Sequence, residues 1–125
     1  MGINTHVYSY WGVRTEWNDE FYNAYEAVEE ANIDTYGYNK EPADAQAHVL
    51  MDGMSGNYMV FGECLYDSGD ARWGEMVNNN EVDISHNVLD QMRWDYMSKF
   101  KRLYPEHFEW LNSKPWRLVN LVHFS

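Results

Sequence analysis

The strongest constraint on this chain is the order in which its apolar residues change period. Residues 3–13, Ile-Asn-Thr-His-Val-Tyr-Ser-Tyr-Trp-Gly-Val, are aromatic and β-branched without a helix starter, and they predict a first strand. Its faces are Ile3, Thr5, Val7, Ser9, Trp11 on one side and Asn4, His6, Tyr8, Tyr10 on the other. The period then shifts. Asn18 has the character of an N-cap, Asp19 and Glu20 suit the positive end of a helix dipole, and Phe21, Ala24, Tyr25 and Val28 recur at helical spacing, predicting a helix over 19–31. Residues 32–45, with Gly37, Asn39 and Pro42, read as a loop. Residues 47–51 and 58–66 are apolar runs joined by Asp-Gly-Met-Ser-Gly-Asn and predict a β-hairpin. A loop over 67–83 follows. Asp83 or Ser85 can cap a second helix carrying the stripe Val88, Met92, Tyr96, Phe100, Leu103, which Pro105 limits. Residues 106–112 have room for an extra helical turn before Pro115, and 116–124 read as a last strand.

The predicted order β-α-β-β-α-β is the ferredoxin-like, split βαβ pattern, an α+β fold with a four-stranded antiparallel sheet and both helices on one face. The chain has 125 residues, which fits a single domain over 1–125. Its 6 Trp, 10 Tyr and 5 Phe supply enough apolar surface for a core and argue against disorder. First and last strands are neighbours in this topology, so His6 and His123 are expected to be close. The sheet face away from the helices must be solvated, covered by the 67–83 loop, or used for binding.

Charge is unevenly distributed. Residues 1–92 hold 17 acids against 3 bases, and residues 93–125 hold 3 acids against 6 bases. Direct nucleic-acid binding needs clustered cations to release phosphate counterions, and the only sequence cluster is Lys99, Lys101, Arg102. The acidic balance instead favours a basic protein partner, with solubility as its plainer role. No run of about 18 apolar residues is present, and the N-terminus lacks the pattern of a secretory signal; membrane association is not expected and the cytoplasm is the expected compartment. A lone Cys64 excludes an internal disulfide, a zinc ribbon and a Cys-x-x-Cys redox motif.

His6 and His123 are the candidate catalytic residues. His123-Phe124-Ser125 has the His-x-Ser/Thr form that occurs twice in two-histidine phosphoesterases, where the resemblance implies general acid and base action on a phosphodiester. His6-Val7-Tyr8 departs from that form, and the plainer role of both rings is structural. Glu63, Asp67, Asp70 and Glu75 gather around a glycine-containing loop without the spacing of a calcium loop, so no metal is expected. Cys64 lies in an apolar strand and reads as a buried, inert thiol. Tyr36, Tyr38 and Trp73 fall on no clear apolar stripe and are free to anchor an interface.

In size, acidity, aromatic content and lack of a catalytic motif, the whole chain resembles the small single-domain proteins that phages encode to inhibit host defence or host enzymes. The resemblance is one of composition, without a motif, and implies a non-enzymatic protein that occludes a host or bacterial protein with a basic surface, with the host cytoplasm as its location and no cofactor. The expected binding residues are Tyr36, Tyr38, Asp67, Asp70, Trp73 and Glu75. Two alternatives compete. One is a small-ligand or nucleotide sponge, using Arg14, Arg72 or Arg117 and a homodimeric sheet interface; the other is the two-histidine phosphoesterase.

Overall fold

A computed structural model describes residues 5–37, 47–68 and 84–124. Strand β1 (Thr5–Glu16) leads into helix α1 (Asp19–Tyr36), then strands β2 (Val49–Met51) and β3 (Tyr58–Asp67). Helix α2 (His86–Leu103), a 3-10 turn (Pro105–His107), helix α3 (Phe108–Asn112) and strand β4 (Arg117–Phe124) complete the order. The four strands make one antiparallel sheet in the order β2-β3-β1-β4. The fold is therefore α+β with three α-helices where two were expected. Pro105 does end α2, since its ring cannot continue a helix, but its fixed φ suits the start of the 3-10 turn that runs directly into α3. Burial of Leu111 then holds α3 on the core.

Helix α1 begins as its sequence requires, with the Asn18 side-chain oxygen accepting from the Phe21 N–H at 3.0 Å. It continues well beyond residue 31 because no breaker precedes Gly37. That glycine adopts φ 80° and donates its N–H to the Ile33 carbonyl at 2.8 Å, closing the final turn. Tyr36, which the residue pattern assigns to a loop, consequently sits on the last turn of α1. In the β2–β3 connection the buried Asp52 carboxylate accepts from the N–H groups of Ser55 and Asn57, a local turn that sets the hairpin.

The helices pack on one sheet face. Val13, Val49, Met59 and Phe61 of the sheet meet Phe21 of α1, Tyr96, Met97 and Phe100 of α2, and Leu111 of α3. Phe21 is central, with ring centroids 4.9 Å from both Phe61 and Tyr104 and 5.7 Å from Phe100. The opposite face carries a second cluster, Tyr10, Leu50, Val60 and Leu121 with Tyr8, Tyr58 and Val119 against it.

That second face is concave. Tyr58 pairs opposite Glu16 and His123 opposite His6, ten residues apart along β1. In a straight strand this separation is roughly 33 Å. Yet Tyr58 Oη and His123 Nδ1 are 2.7 Å apart, so the sheet must curl toward the face that carries both rings. Gly12 and Gly62, paired across β1 and β3, permit the curl: Gly62 has φ 137°, and a Cβ at Gly12 would lie 1.8 Å from the Phe61 carbonyl oxygen. A register shift between Ser9 and Tyr10 adds to it. The curl helps bury Tyr10, 1 % exposed, on a face that no described helix covers.

Candidate functional site

The concave face brings together side chains that lie far apart in sequence. The β1–β4 register sets His6 directly opposite His123. His6 Nδ1 donates to Asp67 Oδ1 at 2.8 Å, tying the start of β1 to the end of β3. The His6 ring stacks on Tyr8 with centroids 5.3 Å apart, and Tyr8 lies 5.9 Å from His123. His123 Nδ1 is also 2.7 Å from the Oη of Tyr58, whose own ring carries the Arg14 guanidinium 4.6 Å from its centroid. Tyr10 Oη and His48 Nε2 are 2.7 Å apart, with their rings stacked, while Tyr96 Oη donates to the His48 carbonyl at 2.6 Å.

Electrostatics on this face are dominated by lost hydration. Burial lowers the His123 pKa, partly opposed by the Asp52 charge, and burial lowers His48 although that residue as a whole counts as exposed. Burial also raises the phenols of Tyr8, Tyr10 and Tyr58. His48, His123 and these three phenols are therefore neutral hydrogen-bonding groups at neutral pH. Cys64 is exposed rather than buried, a correction to the expectation from its apolar strand; β2 pairs only with Met59, Val60 and Phe61, so Cys64 lies on β3 beyond the strand that would flank it. Desolvation, followed by the Asp67 charge, nevertheless raises its pKa, which keeps the thiol protonated.

A histidine whose Nδ1 is held by a carboxylate has its Nε2 directed for proton transfer, and His6 meets that description. Acid and base action by two histidines needs both rings to reach one substrate. His123 is 6 % exposed, with its Nδ1 engaged by Tyr58 and its charged form disfavoured. His6 and His123 are thus neighbours by register, each ring hydrogen-bonded to its own partner, Asp67 and Tyr58. Among the described residues, no group of three or more His, Cys, Asp and Glu side chains is arranged to hold a metal ion.

Of the expected binding residues, Tyr36 is exposed at the end of α1, 42 % accessible. Asp67 is exposed at the end of β3, where its carboxylate accepts from His6. Tyr38, Asp70, Trp73 and Glu75 lie outside the described residues. A surface not singled out by sequence spacing is the outer side of α1, where Asp19, Glu20, Glu26, Glu30 and Asp34 are all exposed. The helix has six acids and no Lys or Arg in 18 residues. That signal was present in the sequence, but it becomes a continuous surface only once α1 extends to Tyr36.

No family model matches this chain, and neither a curated protein nor a solved structure is significantly similar to it. Among the described residues, no helix is long and apolar enough to cross a membrane.

Proposed function

We propose that this chain is a non-enzymatic interaction protein that binds a basic surface on another protein and occludes it. The observation that carries this reading is α1: five exposed acids and no cation on the helix, ending in the exposed Tyr36. Aligned charge of one sign speeds encounter with an opposite surface, while an amphipathic aromatic ring supplies contact area at low entropic cost. Tyr38, Asp70, Trp73 and Glu75, which lie outside the described residues, stay proposed as contacts to the same partner, and so does Asp67, an exposed carboxylate that also accepts from His6. The partner class is a protein with an exposed cationic groove, including one that handles nucleic acid, and the mechanism is competition for that groove. The composition shared with phage-encoded inhibitors favours a host protein as the target.

The fold proposed for this function is ferredoxin-like with an added helix. Read from the β4 edge, the strands run four, one, three, two with every neighbour antiparallel, and a helix follows both β1 and β3; this supports the reading, while α3 departs from the two-helix pattern.

Capture by the tagged chain from bacterial lysate at moderate salt tests the function. One stoichiometric partner released at high salt is expected, with capture lost in the triple variant Glu26→Lys, Glu30→Lys, Asp34→Lys. Unchanged capture by that variant sinks the α1 assignment.

A further inference from the structure

A different part of the molecule reverses the prevailing charge. Arg117 at the start of β4 pairs with Gly12, and Arg14 follows Gly12 by two positions in β1. Both arginines therefore stand on the same sheet face, on either side of a position with no side chain. Lys114, from the connection between α3 and β4, reaches the same place. These three cations line a hollow of about 490 Å³ that also includes Gly12, Pro115 and Val119, and no acidic side chain lines it among the described residues. In a chain with 20 acids and 9 bases, three bases around one acid-free hollow is a strong local inversion.

The cations are also positioned. The Arg14 guanidinium lies over Tyr58 and the Lys114 ammonium is 5.6 Å from the Trp110 ring centroid. Contacts with ring faces orient a cation while leaving its charge uncancelled. Glu16 lines an adjoining depression that shares Arg14 and Lys114. The forked donors of two arginines match phosphate oxygens, and a lysine adds a compact charge.

We propose that this hollow binds a small phosphate-bearing anion, in the size range from pyrophosphate to a nucleotide. The site uses β1, β4 and the α3–β4 connection, so it does not rest on the protein-binding surface of α1. A long nucleic acid is the wrong ligand, because the acidic remainder of the chain repels a continuing phosphate backbone.

Isothermal titration of the full chain with pyrophosphate, and separately with ATP, tests the site. At least one should bind saturably and more weakly as salt rises. Arg14→Gln and Arg117→Gln should each reduce affinity about tenfold or more, as loss of a charge-assisted hydrogen bond implies. Glu16→Gln should strengthen binding severalfold. Similar affinity for both anions assigns the phosphate chain alone, whereas preference for ATP assigns a nucleotide. No binding of either anion overturns the proposal. So does affinity unchanged in the Arg14→Gln, Arg117→Gln double variant, or binding of an oligonucleotide alone. Both arginines are exposed, and circular dichroism should show an unchanged fold; if either variant is misfolded, Lys114→Gln replaces it with the same expected loss.

Discussion

The contact between Tyr58 and His123 spans 65 residues of sequence and links β3 to β4 across the curled sheet. Tyr58→Phe leaves the His123 Nδ1 without that partner in a nearly buried site and should cost about 1–3 kcal/mol, measured by urea unfolding. The pH dependence has a definite sign. Burial depresses the folded-state pKa of His123, so the unfolded chain binds more protons below the ordinary imidazole value. Stability from the neutral ring is complete above about pH 6.5 and falls as pH drops toward the lowered folded value. Urea midpoints should therefore decline on acidification, with a shallower decline in His123→Gln. Tyr25 acts in the opposite range: burial and its bond to Glu29 push it up to about 12, and its contribution, present below about pH 10, is lost as pH rises toward that value. At this scale the sequence identified His6 and His123 as strand residues worth pairing. It could not show Tyr58 or Asp67 as their partners, since neither local period nor spacing encodes a contact across a curved face.

Among the elements, β1 and β3 depend on two glycines that ordinary strand propensity counts as weaknesses. A Cβ at Gly12 meets the Phe61 carbonyl, and one at Gly62 lies 2.2 Å from the Trp11 carbonyl oxygen at a backbone angle that side chains rarely accept. Gly12→Ala or Gly62→Ala should each cost about 3 kcal/mol or more, through combined overpacking and strain, and should sharply reduce the yield of folded protein. Gly53→Ala is the contrasting case. Nothing lies within 4 Å of its added Cβ, and stability should be unchanged or raised by up to about 1 kcal/mol. Near-wild-type unfolding of Gly12→Ala would argue against the curl as the reason for that glycine. The N-terminus of α1 was legible because an Asn cap and first-turn acids are local signals. Its C-terminus was less so: Asn32, Asp34 and Thr35 have weak helix propensity, yet none of them breaks the helix, and α1 runs on to the first residue able to adopt a terminating φ, Gly37.

For the molecule as a whole, one aromatic core joins all three helices to the sheet, and Phe21 is its fully buried hub. Phe21→Ala should cost about 3–5 kcal/mol, a large share of the roughly 5–15 kcal/mol typical of a domain, and would appear as a marked fall in the unfolding midpoint. The same three-dimensional arrangement separates charge: acids line the outer side of α1, while Arg14, Lys114 and Arg117 converge around an acid-free hollow. The order of the four strands with α1 and α2, the α+β class, the hairpin and the proline-limited α2 were determined by sequence, because apolar period, turn chemistry and proline geometry act over a few residues. The curl of the sheet, the burial of His123 and the meeting of the three cations were decided only by tertiary structure. Each depends on groups brought together from distant positions, where packing and hydration set the outcome.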